Sequence, residues 1–274
     1  MVASPKEIHD GLIMARIHDH YTESREFFKE DQIVGCFLQG SQNYGLDYEG
    51  SDIDTKLIVL PSFKEIALAS KPVSTTHVRA NDEHTDWKDI RLYMETFRKQ
   101  NLNFLEILFT PYAIINEMYK DEWMRLVEHR EEIAHMNPWR AVKSMKGIAM
   151  EKFHAMEHEY PSKVDVLAKW GYDPKQLHHL LRVEEYLGRY IAGERYEECL
   201  RPRRPEYLID VKRGYYNLED ARVVANSAKV NVERIADHFC SSREDKEDES
   251  MRELLQDVSY NIMKASVRGE LQDG

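Results

Sequence analysis

Two aspartates two residues apart, Asp52 and Asp54, close a stretch that opens on Gly40-Ser41 and reads GSQNYGLDYEGSDID. An apolar run, IVGCFLQ (Ile33–Gln39), precedes it, and a second, TKLIVL (Thr55–Leu60), follows. Side chains on a strand alternate faces, so carboxylates at positions 52 and 54 of one strand project to the same side. Two such groups side by side repel unless a cation sits between them. Their oxygens suit a hard ion, Mg²⁺ or Mn²⁺, that keeps waters and takes further ligands from substrate phosphates. Gly40 permits close backbone approach to a phosphate, and Ser41 adds a hydroxyl beside turn N–H groups that can cradle an anion. The chemistry this points to is metal-assisted phosphoryl or nucleotidyl transfer. The same residues also serve, in other chains, as a solvated strand edge.

The pairing of Gly40-Ser41-x-Asn43-Tyr44-Gly45 with Ser51-Asp52-x-Asp54-Thr55 resembles the signature of the DNA polymerase β-type nucleotidyltransferase superfamily. It is similar in detail to the RNA-repair-associated group of bacterial and phage nucleotidyltransferases. The resemblance implies an α/β (α+β) fold, a mixed sheet with flanking helices, and a third carboxylate on a later strand. It also implies nucleotide-binding roles for Asn43 and Ser51.

The segment DWKDIRLY (Asp86–Tyr93) supplies that third acid. Ile90 and Leu92 alternate with Asp89, Arg91 and Tyr93, the period of a half-buried strand, so Asp89 points away from the apolar face. The resemblance agrees, because the family carries an aspartate on this strand, then a helix and an Asn-x-x-x-Leu-Glu segment, here Asn101 to Glu106. Asp86, three residues earlier, is the rival. Glu106 lies in the apolar run NFLEILF, where a carboxylate needs a hydrogen-bond or arginine partner.

A second basic stretch is GYDPKQLHHLLR (Gly171–Arg182), which Asp173-Pro174 start as a helix. Lys175, His179 and Arg182, four and three apart, share one face. On spacing alone this reads as a solvated face or as a stripe for a triphosphate. Tyr172-Asp-Pro-Lys175 with His179-x-x-Arg182 resembles the second motif of the same family, which favours the triphosphate. Lys143 and Lys146 are weaker candidates for the same task. His154-x-x-Glu157-His158 matches an inverted zinc-hydrolase pattern, with a solvated helix face as the plainer alternative. Arg201, Arg203, Arg204, Lys212 and Arg213 form a basic cluster open to an RNA contact or to balancing acidic surroundings.

These residues need elements to position them. Ser4-Pro5 begins a helix over Lys6–Lys29. Strands follow at Ile33–Leu38 and Asp54–Leu60, and Ser62 caps a helix over Phe63–Ser70. Lys71–Thr85 reads as a hairpin or loop. From Pro111 strand signals give way to helical periodicity, with helices at Ile115–Glu128, Trp139–Tyr160, Pro174–Ala192, Pro205–Arg213, Leu218–Phe239 and Met251–Ala265. This predicts a nucleotidyltransferase domain over 1–110 and a helical domain over 111–274.

The chain has 274 residues, a net charge of −11, 32% charged residues and 42% hydrophobic ones. The acidic balance argues against broad electrostatic binding of long nucleic acid, though not against a local basic patch. No apolar run approaches the roughly 18 residues of a membrane span, and the first residues lack a secretory pattern. Three separated cysteines fit a reducing, cytoplasmic setting.

The resemblance then implies transfer of a nucleoside monophosphate from a nucleoside triphosphate to an acceptor hydroxyl, on RNA or tRNA first of all. Asp52, Asp54 and Asp89 would hold two Mg²⁺ ions roughly 3.5–4 Å apart. Asp89 would help deprotonate the acceptor. Gly40 and Ser41 would receive phosphates, and Lys175, His179 and Arg182 would neutralise them. The alternatives are the same chemistry on a protein side chain or small molecule, a nucleotide-binding interaction protein without turnover, and the zinc hydrolase. Oligomeric state is left open.

Overall fold

The computed structural model describes residues 4–48 and 50–273; Glu49, inside the first motif, and the chain ends lie outside it. The first helix, α1 (Pro5–Ser24), opens on a capping box: Ser4 Oγ accepts the Glu7 N–H and the Glu7 carboxylate accepts the Ser4 N–H. Of its apolar positions Ile13, Ile17 and Tyr21 are buried, one turn apart, while Ile8 and Leu12 are exposed.

Five strands form one mixed sheet, in the order β3-β4-β2-β1-β5. They are β1 (Ile33–Gln39), β2 (Asp54–Val59), β3 (Ser74–Val78), β4 (His84–Asp89) and β5 (Ala113–Ile115). The β2–β4 pair is parallel and the other three pairs are antiparallel. The crossover between β2 and β4 carries α2 (Phe63–Ala67), capped by Ser62 as expected, and the β3–β4 hairpin fills Lys71–Thr85.

Both faces of the sheet are covered, which explains why its central strands read as continuous apolar runs. Ile13, Ile17 and Tyr21 of α1 pack on Cys36, Leu38, Leu57, Val59 and Trp87. Val34, Phe37 and Ile58 face the other way, into the helical layer.

β4 ends earlier than the alternation predicts. Ile90 begins a helix, α3 (Ile90–Arg98), whose buried residues Ile90, Tyr93, Met94 and Phe97 follow the helical period. Two alternating residues, Ile90 and Leu92, were too few to separate strand from helix. The fifth strand also lies beyond the boundary placed near Thr110. Its three residues are too short to show a period, yet they pair with Gly35–Phe37 of β1. Gly35 makes that pairing close, since a Cβ there would lie 2.9 Å from the Ile114 carbonyl oxygen.

The remaining helices are α4 (Leu102–Leu105), α5 (Lys120–Glu128), α6 (Arg130–Ala134), α7 (Pro138–Ala155), α8 (Val164–Trp170), α9 (Pro174–Ile191), α10 (Tyr196–Leu200), α11 (Pro205–Lys212), α12 (Leu218–Ser241) and α13 (Glu249–Asp273). One apolar cluster runs from Val34 and Ile58 of the sheet through Trp123 to Leu180, Val232 and Leu255 of the helices. The last helix returns to the first third of the chain, where Glu270 accepts the Phe63 N–H at 2.7 Å. Among the described residues no helix is long and apolar enough to cross a membrane.

Candidate active site

At the end of β1 the chain turns through Gly40, with φ of +97°, into a short 3₁₀ turn over Ser41–Tyr44. Nothing lies within 4 Å of where a Gly40 Cβ would stand. Glycine is therefore needed for the backbone angle, and the space above it is open. Gln42 donates its side-chain amide to the Asp52 carbonyl at 2.7 Å, and Ser51 Oγ accepts the Tyr48 N–H at 2.9 Å. These bonds fold the loop back on itself and bring Asp52 beside the Gly40–Ser41 turn.

Asp52 sits just before β2 rather than on it, and its side chain is exposed. Among the described residues its carboxylate has no hydrogen-bond partner. Asp54 is the first residue of β2; its Oδ1 accepts the His84 N–H at 2.9 Å. On the neighbouring strand, Asp86 is the register partner of Lys56. Its Oδ1 accepts the Thr76 hydroxyl at 2.6 Å and its Oδ2 lies 3.4 Å from Lys56 Nζ. Lys56 is 3% exposed and its ammonium lies 4.5 Å from the centre of the Phe104 ring. Burial lowers the Lys56 pKa, against the pull of Asp86 and Asp54.

The aspartate that shares a cleft with Asp52 and Asp54 is thus Asp86, not Asp89 as expected. The register pairs Asp89 with Val59 and Trp87 with Leu57, and those three apolar partners belong to the α1 face. Asp89 is 2% exposed. It caps α3 by accepting the Arg91 N–H at 2.8 Å, and it binds the Arg91 guanidinium through both oxygens, at 2.9 and 2.6 Å. Asp89 was expected to point away from an apolar face, but it lies on the buried α1 face, and Asp54 shares the opposite face with Ile58 and Ile90.

Asp52, Asp54, Asp86, Gly40, Ser41 and Ser51 line one cleft of about 460 Å³. Its facing wall carries Lys152 of α7, Lys175, His179 and Arg182 of α9, and Lys212 of α11. Asp173 starts α9 by accepting the Lys175 N–H at 2.9 Å, so the basic stripe is aimed from its first turn. Arg182 is 8% exposed and its guanidinium carbon lies over Tyr44, 3.6 Å from the ring centre, yet its Nε and Nη2 have no partner. A buried, unpartnered guanidinium in a cleft is poised for an anion. Glu106 lines the same cleft. Burial pushes its carboxyl up to about 8, opposed by the field of Arg182 and the Gly40 N–H.

His179 reaches the cleft but brings no charge. Burial, with His178, Arg182, Lys175 and Lys152 nearby, pushes its pKa well below the usual histidine value. It offers a neutral ring where the stripe predicted a cation. His178 holds the Leu208 carbonyl at 2.8 Å, and burial takes it down to about 4. Asn43 lies outside the cleft lining. Its amide donates to the Leu38 carbonyl and accepts the Thr110 hydroxyl, tying the turn to the β5 side of the sheet.

Sequence reasoning missed Lys56, Lys152 and the placing of Lys212 in the cleft. Lys56 had a signal, since it shares strand parity with Asp54. Lys152 and Lys212 had none, because packing alone brings their helices to the sheet. Lys146 is bound to Asp237 at 2.7 Å and Lys143 lies over Trp139, so neither reaches the cleft. The zinc pattern does not assemble either. Helix α7 ends at Ala155, leaving His158 off the helix, and Arg222 takes the Glu157 carboxylate. Among the described residues no three His, Cys, Asp or Glu side chains gather as a metal site.

That last finding bears on Mg²⁺. The partner-free carboxylate of Asp52 and the remaining oxygen of Asp54 suit one hard ion that a phosphate would also ligate. Asp86 is already committed to Thr76 and Lys56. Asp52 and Asp54 are therefore the carboxylates left to meet a divalent ion, while Asp86 is engaged elsewhere.

No protein-family model matches the chain, and no curated protein is similar to it in sequence. Among solved structures, a nucleotidyltransferase-like protein from Exiguobacterium sibiricum 255-15 aligns over 94% of this chain and 78% of its own, at 10% identity and a TM-score of 0.33.

Proposed function

We propose that the cleft binds a nucleoside triphosphate and transfers its nucleoside monophosphate to an acceptor hydroxyl, releasing pyrophosphate. One observation carries this reading: three carboxylates and an open glycine turn on the strand wall face four lysine or arginine side chains on the helical wall of one cleft. A triphosphate matches both walls, through an ion at the acids and directly at the bases.

In this reading the Gly40–Ser41 turn seats the phosphates, and Arg182, whose Nε and Nη2 await a partner, takes a phosphate oxygen pair. Lys175, Lys152 and Lys212 offset the charge of the leaving pyrophosphate. Asp52 and Asp54 would hold one Mg²⁺ or Mn²⁺, which when bound supplies positive charge to the phosphoryl oxygens. The acceptor oxygen bonds to the α-phosphorus, the bond to the bridging oxygen breaks, and the hydroxyl proton passes to Asp86, which Thr76 and Lys56 hold in place.

The acceptor in this reading is an RNA or tRNA end, met by the surface that runs from Tyr48 and Lys212 of the cleft along α11. Lys212 and Arg213 lie over Tyr48, Arg204 lies over Tyr207, and Tyr215 stands exposed beside Tyr216. Aromatic faces interleaved with cations suit single-stranded nucleic acid. The second reading, nucleotide binding without turnover, draws on the Lys56–Asp86 contact, which occupies a carboxylate that catalysis would use.

Incubation with α-labelled nucleoside triphosphates, Mg²⁺ and total RNA separates the two. Label should pass to RNA and vanish in Asp52→Asn and Asp54→Asn. Labelling of the protein without RNA would move the acceptor to a side chain. Nucleotide binding with no label transferred to anything would leave the non-catalytic reading.

A further inference from the structure

We infer that the Lys56 ammonium takes the place of one metal ion in this cleft, so that the site binds a single divalent cation where three such acids would ordinarily hold two. The inference rests on the nucleotide reading above and specifies how that site is charged.

The strand register puts Lys56 where a cation between the acids belongs. It follows Asp54 by two residues on the same face of β2 and stands directly beside Asp86 of β4. Its Nζ is 3.4 Å from Asp86 Oδ2, and its side chain is 4% exposed. The Phe104 ring centre lies 4.5 Å from the ammonium and 4.4 Å from that of Lys88, an electron-rich surface that favours a buried cation. Thr76 fixes the second Asp86 oxygen at 2.6 Å, so both oxygens are engaged. A divalent ion ligated by Asp86 would therefore compete with the Thr76 hydroxyl and sit against the Lys56 ammonium already bound to the same carboxylate. Like charges so placed in a shielded site exclude one another. Among the described residues the Asp52 carboxylate has no partner, and Asp54, whose Oδ1 is held by His84, keeps its other oxygen for one ion. A fixed ammonium also does part of a metal's work: it holds a carboxylate ionised and in place without having to be recruited from solution.

The test counts ions. The full chain is titrated with Mn²⁺ alone and with Mn²⁺ plus a non-hydrolysable α,β-methylene nucleoside triphosphate, free Mn²⁺ being read from its electron paramagnetic resonance signal. The expected result is one Mn²⁺ per wild-type chain in the analogue complex, one in Lys56→Arg, and a second in Lys56→Met. Two ions per wild-type chain, or a Lys56→Met protein that folds and still holds one, would overturn the inference. Should Lys56→Met fail to fold, the wild-type and Lys56→Arg counts decide alone. Analogue that binds with two ions removes only this inference, whereas analogue that does not bind at all removes the nucleotide reading together with it.

Discussion

Both faces of the sheet carry buried charge, and they differ in what is left open: the buried carboxylates behind the sheet are all held, while the cleft keeps a buried guanidinium without a partner. On the α1 face the carboxylates are fully engaged. Asp89 is clasped by Arg91. Glu83 receives His20 at 2.9 Å as well as Arg16, and its other oxygen accepts the Ile53 N–H at 3.3 Å. Burial works against ionising Glu83, but the bonds from His20, Arg16 and Asn81 win and hold it down to about 2. On the cleft face Arg182 leaves two nitrogens unpartnered and Glu106 is pushed up to about 8. Leaving a buried polar group unpaired costs stability. The difference therefore separates charge that builds the fold from charge that waits for a ligand.

Substitutions of matched acids break or sharpen that contrast most strongly. Asp54→Asn should lower nucleotidyl transfer by about 10³-fold, and Asp86→Asn by a comparable factor, in a labelled-nucleotide assay. Asp89→Asn should leave the rate within about threefold and instead cost about 1–3 kcal/mol in denaturant unfolding, because Arg91 loses its charged partner. A reversal of those two phenotypes would exchange the roles assigned to the faces.

Glu106 gives a pH signature. Its carboxyl rises from 4.5 when unfolded to about 8 when folded, so between those values the native state binds the extra proton. Its contribution is complete below about 4.5 and is lost as pH rises through about 8. Wild type should thus lose stability, on the order of a few kcal/mol, between pH 5 and 8 relative to Glu106→Gln. Parallel melting curves for the two proteins across that range would contradict the unpaired burial of Glu106.

Arg182→Met should weaken nucleotide affinity by roughly 10- to 100-fold, the size of one or two charge-assisted hydrogen bonds, with the melting temperature unchanged or raised. Glu83→Ala tests the link between the faces. Freed from Glu83, the Ile53 peptide between the two acids should shift and cut the rate about tenfold with little change in nucleotide affinity. Lys146→Ala, a solvated pair with Asp237, should alter stability by less than about 0.5 kcal/mol and activity not at all.

What the sequence disclosed was the part of the site that is local in the chain. The Gly40-to-Asp54 turn, the Ser62 cap and the Asp173-Pro174 start are each written within a few residues, and each stands where the spacing puts it. The choice between Asp86 and Asp89 was not local. It depended on which face of the sheet carries Asp54, and only the register of β4 against β2 shows that Asp86, and not Asp89, shares that face. Burial of both sheet faces also removed the polar-out, apolar-in rule by which Asp89 was chosen. Lys152 and Lys212 come from helices far along the chain, and Glu106 acquired meaning only when Arg182 arrived beside it. The neutral state of His179 is likewise a product of crowding that a one-helix view of the stripe does not contain.

In the proposed function the unpartnered guanidinium of Arg182, and not the Asp89–Arg91 pair behind the sheet, meets the nucleotide. Isothermal titration of each nucleoside triphosphate with Mg²⁺ into wild type, Arg182→Met and Asp89→Asn tests it directly. The prediction is one nucleotide bound per chain, weakened at least tenfold by Arg182→Met and retained by Asp89→Asn. No heat with any of the four nucleotides, or binding that survives in Arg182→Met and fails in a folded Asp89→Asn, would contradict it.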